Sequence, residues 1–505
     1  MLLIYPPVAK PCEPPAGIAR LAGALRGHNL PCTLLDANLE GQLFLLAGQA
    51  APADTWGKRA CRNLSANLAG LRTPELYASQ ARYRRAVADV NRVLELAGQA
   101  RNLTLSLANY QDPELSPLKS ADLLQAAATP ETNIFYPYFS ARLAALLREP
   151  GQETVGISLN YLSQALPAFA MAGFLRQRFP EVRLVLGGGL TTSWLRNPGW
   201  RNPFAGLFDL LVAGPGEEAL LRLSGREADP RPYPPDYTGL PLADYLAPGL
   251  ILPYAASSGC SWHRCTFCPE KAEQNPYCAT APDQVQAELR GLIRTTRPVL
   301  LHFLDNELSP KLLTALAEHP PGVNWYGFTR INRALADPAF CLALRRAGCV
   351  MLKLGLESGN QKVLTAMHKG IRLETAARAL TALHAAGIAT YVYLLFGTPA
   401  ETLVEARDTL TFTVRHSQAI TWLNLAVFNM PLASPEANRL EVSRFSAGDL
   451  SLYTDFAHPR GWGRKEVRRF LEQEFKRAPA IAAILRRDPP HFTSNHAPFF
   501  ADGQG

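Results

Sequence analysis

The stretch SSGCSWHRCTFCPEKAE, Ser257 to Glu273, holds three cysteines within nine residues: Cys260, Cys265 and Cys268. The other six, Cys12, Cys32, Cys61, Cys278, Cys341 and Cys349, are scattered singly along a long chain, so a disulfide framework does not explain the triplet. A tetrahedral structural zinc site takes four ligands, usually in two pairs. Here the next cysteine, Cys278, lies ten residues on, and His263 sits between ligating positions where geometry is tight. Three thiolates on one loop suit three irons of a four-iron cluster and leave the fourth iron open to a small molecule. An open iron implies chemistry.

Downstream of the loop the chain alternates strand-like and helical patterns: LILPYAAS before the cysteines, then VLLHFLD, VNWYGFT, VMLKLGLES, IATYVYLLFG and ITWLNLAVFN, with helices between. Six βα-like units fall short of the eight that close a barrel, so an open partial (β/α)6 barrel is expected, with the cysteine loop at the carboxyl end of its first strand, where barrel enzymes place their active sites. Upstream, LLIY, CTLLDAN, TVGISL and VRLVLGGG alternate with helical runs and imply a second, parallel sheet that binds ligands beyond its carboxyl ends. Residues 42–129 interrupt it as a helical insertion without strand signals. Six prolines between Pro230 and Pro248 mark a linker. The expected fold class is therefore α/β: a Rossmann-like domain over 1–229, a linker over 230–249, the partial barrel over 250–435, and a helical basic tail over 436–505.

With these features in order, the sequence resembles the radical S-adenosylmethionine (SAM) superfamily, in which a CxxxCxxC loop after the first strand holds a 4Fe-4S cluster. SAM binds its open iron and is cleaved to methionine and a 5'-deoxyadenosyl radical. The spacing here departs by one residue, since four residues separate Cys260 from Cys265. The resemblance covers about 251–430 and implies further roles. Phe267 would lie near the adenine. Asp305, Asn306 and Glu307, in FLDNE, stand where the family meets the SAM amino group. Arg330, in GFTR, would pair with the SAM carboxylate. Glu357 and Ser358, in LGLESG, would bind the ribose or amino group, and Gly397 and Thr398, in FGTPAET, would pass beside the adenine.

The first domain resembles the cobalamin-binding domain found upstream of many such barrels. In that fold an Asp-x-His-x-x-Gly loop ligates cobalt, and a serine with a glycine pair receives the nucleotide tail. The matching stretch DANLEG has Asp36, Asn38 in the place of histidine, and Gly41. The resemblance implies tail contacts at Ser158, Gly187, Gly188 and Gly189, and cobalt not ligated by histidine from below. A dinucleotide site is disfavoured because no GxGxxG follows the first strand, and a degenerate domain without ligand is the plain alternative.

At 505 residues, 47% hydrophobic and 19% charged, the chain reads as a multidomain enzyme with no apolar run of membrane-spanning length and no secretory leader, so a cytoplasmic location is expected. Net charge is +8, and Arg460 to Arg487 carries nine Lys/Arg against three Glu, which reads first as a solvated helix face; nucleic acid is not an expected partner. His491, His496 and the closing aromatics either lid the barrel or pack the tail down. Cys278 and Cys349 are expected to be buried and inert. The resemblance implies a cobalamin-dependent enzyme that methylates an unactivated carbon of an unidentified substrate (small molecule, lipid, tetrapyrrole or peptide), with a low-potential donor such as flavodoxin or ferredoxin. A radical rearrangement or coupling without methyl transfer, and a cobalamin- or redox-sensing protein, are the alternatives.

Overall fold

The computed structural model describes residues 1–48, 52–149, 151–227, 233–444, 446–489 and 497–500. His491 and His496 lie outside the described residues, as do residues 230–232 of the linker. The chain divides into two compact units, the first holding Met1–Ile251 and Ser446–Leu452, the second Leu252–Phe445 and Tyr453–Asp488.

The first unit is built on a five-stranded parallel sheet: β1 (Leu2–Tyr5), β2 (Thr33–Asp36), β3 (Thr154–Ser158), β4 (Arg183–Gly187) and β5 (Leu210–Leu211), in the order 2-1-3-4-5. That order reverses between β1 and β3, and ligands of doubly wound sheets sit at such a reversal. Leu3 pairs with Leu34 on one side and Gly156 on the other, so β1 is central and its residues Leu2 to Ile4 are buried. The insertion is mainly helical, with helices Thr55–Gly70, Gln80–Gln99 and Ser120–Ala128, but it also contains the short hairpin Thr104–Ser106/Asn109–Gln111, which the sequence pattern did not signal. Helix Leu162–Arg178 lies so close to the insertion that a Cβ on Gly173 would come within 1.8 Å of the Ala127 carbonyl oxygen. Segment Ser446–Leu452 also joins this unit, where the Asp449 carboxylate accepts from Ser120 N (2.8 Å) and Oγ (2.6 Å).

The second unit is a six-stranded sheet in chain order: β6 (Ile251–Tyr254), β7 (Leu300–Phe303), β8 (Asn324–Thr329), β9 (Cys349–Glu357), β10 (Ala389–Phe396) and β11 (Trp422–Val427). The pairings from β7 to β11 are parallel. This is the open (β/α)6 arrangement expected from the alternation. Its helices start on local signals: proline at the first turn of Pro282–Thr296, Pro310–Glu318 and Pro338–Arg346, and a Thr402/Glu405 capping box ahead of Leu403–Arg415. After β11 the chain is not purely helical. Strands Met430–Pro431, Val442–Arg444 and Tyr453–Phe456 form a small antiparallel sheet before the helices Arg464–Phe470 and Pro479–Leu485. Several basic residues of this region are used internally: Arg464 donates to the Phe428 carbonyl at 3.0 Å and Arg487 to that of Ile420 at 3.1 Å. No helix among the described residues is long and apolar enough to cross a membrane.

Candidate functional site

The cysteine loop leaves the carboxyl end of β6, and two devices set its path. Asp305, at the end of β7, accepts from Ala256 N (3.0 Å) and Ser257 Oγ (2.5 Å) and so ties the loop's start to the neighbouring strand. Gly259 then turns with φ +71, where a Cβ would come within 2.3 Å of the Pro276 carbonyl oxygen, so only glycine fits. Cys265 is buried, Cys260 and Cys268 are half-buried, and Cys268 caps the short helix Pro269–Ala272. Burial pushes the Cys265 thiol up, while Lys369 and Arg330 pull it back; burial takes Cys268 up to about 11. Among the described residues no group of His, Cys, Asp and Glu forms a ready single-ion site. Thiolates that bind separate irons of one cluster need not converge on a point.

Two ion pairs stand beside the loop. Glu307, 6% exposed, accepts from Ser261 Oγ at 3.2 Å and from the Cys260 thiol at 3.5 Å, and faces Arg330 Nε at 3.8 Å. Arg330, just past β8, also directs Nη1 at the Cys265 sulfur (3.9 Å) and donates Nη2 to the Lys369 carbonyl at 2.6 Å. At the end of β9, Glu357 takes a left-handed conformation, φ +69, and its Oε1 accepts from Lys369 Nζ at 2.8 Å, both side chains being buried. A non-glycine residue held there costs about 1–3 kcal/mol, a type of strain that clusters at functional sites. Gly355, two residues earlier on the same face, makes room for the pair: a Cβ there would come within 2.7 Å of Glu357 Oε1 and 2.8 Å of Lys369 Nζ. Lys369 Nζ lies 5.5 Å from the centre of the Phe267 ring. The structure thus brings Cys260, Cys265, Phe267, Glu307, Arg330 and Glu357 together.

Other residues expected to contact SAM have internal duties. Besides Asp305, Asn306 donates to the Gly259 carbonyl at 3.3 Å, and Ser358 is fully buried against Thr409 (3.1 Å) on helix Leu403–Arg415. Gly397, φ +83, donates its N–H to the buried Glu401 carboxylate at 2.5 Å, and the Thr398 carbonyl faces His458 Nε2 at 2.9 Å. Trp262 and Lys369 were not singled out from sequence. The Trp262 ring lies on Gly370, where a Cβ would come within 2.1 Å of it, its Nε1 donates to the His368 carbonyl at 2.9 Å, and the Arg330 guanidinium lies 4.1 Å from the ring centre. Trp262 is one of the four residues that make the first cysteine interval long, and it pins that interval to the segment after β9. Cys349 is buried as expected, whereas Cys278 is exposed on a two-residue strand and does not fit the expectation of burial.

In the first unit, DANLEG is not a loop. Asp36 caps helix Ala37–Ala47, accepting from Leu39 N at 2.9 Å and from the Tyr245 hydroxyl at 2.6 Å, and burial pushes it up to about 6 despite those bonds. Asn38 Oδ1 accepts from Ala9 N and Gln42 Nε2, both at 2.7 Å, and Gly41 packs against Phe135 and Tyr138. These three residues hold the fold together, because a helix starting at Asp36 turns their side chains into the unit's interior. The cavity lies elsewhere. It has a volume of about 210 Å³ and is lined by Leu3, Ile157, Ser158, Val185, Val212 and six glycines: Gly17, Gly156, Gly187, Gly188, Gly214 and Gly216. Arg20 and Glu217, paired at 2.5 Å, also line it. It therefore sits at the β1/β3 reversal and extends along β4, an apolar slot where absent side chains leave space for a flat group. Gly189 N is bonded to Asn160 Oδ1 at 2.9 Å, so of the expected contacts Ser158, Gly187 and Gly188 line the cavity.

Residues 254–413 match the radical SAM superfamily. No curated protein matches the chain. Among solved structures it is similar to the radical S-adenosylmethionine methyltransferase TsrM from Kitasatospora setae, with cobalamin and a 4Fe-4S cluster bound: TM-score 0.52, 16% identity, 87% of this chain and 77% of that chain. A second TsrM structure, with tryptophan substrate and a SAM analogue, gives TM-score 0.53 at 17% identity over 88% and 78%. The cobalamin-dependent SAM radical enzyme OxsB, with aqua-cobalamin and SAM bound, gives 0.50 at 13% over 83% of this chain, which spans about half (52%) of that one. At such identities the likeness is one of fold.

Proposed function

We propose that this chain, which carries a radical SAM domain at residues 254–413, is a cobalamin-dependent radical SAM enzyme that methylates an unactivated carbon. The observation that carries the reading is the three-cysteine loop set beside two ion pairs, one buried and one partly buried, at the carboxyl ends of a parallel partial barrel. The donor set fits the groups: Cys260, Cys265 and Cys268 would hold three irons, leaving one for SAM. Glu307 and Glu357 would receive the SAM amino group, Arg330 and Lys369 its carboxylate, and Phe267 would lie along the adenine. The glycine-lined slot of the first unit fits the flat nucleotide tail of cobalamin. Asn38, spent on Ala9 and Gln42, offers cobalt no ligand. When bound, the reduced cluster supplies the electron that cleaves SAM, and cobalamin supplies a methyl carrier. The chain's own part is to orient SAM through these charges and to shield the thiols from water.

The test is anaerobic. The chain is reconstituted with iron, sulfide and cobalamin, given SAM and dithionite, and compared with a Cys260→Ala/Cys265→Ala/Cys268→Ala variant. 5'-Deoxyadenosine and S-adenosylhomocysteine from the wild type alone are expected. Deoxyadenosine without S-adenosylhomocysteine would favour a radical reaction without methyl transfer. Neither product, with cluster and cobalamin both bound, would overturn the enzymatic reading in favour of a sensor.

A further inference from the structure

Behind the cysteine loop, on the second unit, lies a cleft of about 540 Å³ whose lining includes Trp262, His263, Arg264, Lys271, His368 and Gly370. Its charge is one-sided: Arg264 and Lys271 are cationic, His263 and His368 are imidazoles, and among the described residues no carboxylate lines it. Arg264 and His368 are exposed, and Lys362 and Arg372, also exposed, flank the segment that forms the opposite wall. Glu270, on the same short helix as Lys271, does not line the cleft, although its carboxylate interacts with His263 as well as with Asn275 and Asn306.

The cleft also adjoins the thiols. Arg264 is the residue before Cys265, and its guanidinium lies 5.0 Å from the centre of the Trp262 ring. That ring also carries Arg330 at 4.1 Å, whose Nη1 is 3.9 Å from the Cys265 sulfur. Lys271 Nζ donates to the Arg264 carbonyl at 3.1 Å and holds the cationic wall against the loop. A molecule seated here is separated from a cluster ligand by about one side chain, without passing through the barrel interior.

We propose that this basic cleft is the docking face for an acidic, one-electron donor protein of the flavodoxin or ferredoxin kind. The inference rests on the function above and names where its reductant binds. The donor is oxidised by one electron and the group held by the three thiols is reduced by one, with no other co-reactant. Complementary charge speeds such encounters and makes them sensitive to salt, and electron-transfer interfaces are small.

The probe is reduced flavodoxin, with ferredoxin as a second probe, and the full chain carries Arg264→Glu/Lys271→Glu; Lys271→Gln serves if the double variant loads less iron. Two readouts are taken: direct association of the donor with the chain at increasing salt, and SAM cleavage driven by donor or by dithionite. Association is expected to weaken with salt and to fall at least tenfold in the double variant. Donor-driven cleavage should fall alongside, while dithionite-driven cleavage and iron content stay within about twofold of wild type. Unchanged association, or equal losses with donor and dithionite, would overturn the inference, as would a wild type that turns over with dithionite and with neither protein donor. Failure of the function itself looks different: no reductant then drives the wild type, and the inference falls with the reading it rests on.

Discussion

At the scale of single residues, the cysteine loop depends on a contact between Trp262 and a glycine more than a hundred positions away. Gly370 has φ +71, and a Cβ there would meet the Trp262 ring at 2.1 Å. Gly370→Ala is therefore expected to displace the ring, cost about 1–3 kcal/mol in backbone strain, and lower iron retained after reconstitution by at least half, measured as iron per chain with the cluster's electron paramagnetic resonance signal. Trp262→Phe, which keeps a ring and loses only the donor to His368, should retain more iron than Gly370→Ala. Full iron loading in Gly370→Ala would show that the ring does not hold the loop. The cysteine triplet and Glu357 are legible in sequence because their signals are spacing and a local motif. Trp262 and Lys369 are not, because what singles them out is contact across the fold: Lys369 reaches back twelve residues to Glu357 and Trp262 forward to His368 and Gly370.

At the scale of elements, the turn after β10 is held by a buried acid. Glu401 is fully buried and accepts from Gly397 N at 2.5 Å and from Trp462 Nε1 at 2.9 Å. Burial lifts its carboxyl to about 7 against those bonds, from an ordinary 4.5. The unfolded chain gives up this proton near 4.5 and the folded chain near 7, so stability falls as pH rises through that window and levels off above it. The loss amounts to about 3 kcal/mol. Glu401→Gln keeps an acceptor for Gly397 and Trp462 and cannot ionise, so its melting temperature should change less than that of wild type between pH 5 and pH 8. Equal slopes would mean that Glu401 is ionised throughout. The short hairpin at 104–111 and the small sheet after β11 escaped the sequence pattern for a physical reason: strands of two to four residues are too short to show alternation. DANLEG misled in another way, since an aspartate at a strand end also suits a helix cap.

At the scale of the whole molecule, two units with separate sheets should respond separately to damage. Gly187 lines the slot of the first unit with open space before it, the nearest atoms to an added Cβ being those of Val212 at 3.8 Å. Gly187→Val should fill that slot and weaken cobalamin binding about tenfold or more, followed by the absorbance of cobalamin retained on the chain, while iron content is unchanged. Loss of both together would mean that the substitution unfolds more than the slot. By itself the sequence determined the α/β alternation, the six βα units, the cysteine loop at the carboxyl end of the first barrel strand, and two of the slot's six glycines, Gly187 and Gly188, because each is a local matter of periodicity, spacing or a missing side chain. Only the tertiary structure separated the nominated polar residues that face the site from those that do not, and added Lys369 to them. Asp305, Ser358 and Asn38 turned inward to satisfy buried backbone and side-chain groups, and Glu307, Arg330, Glu357 and Lys369 turned toward the cysteines, because the partners of each lie on other segments of the chain.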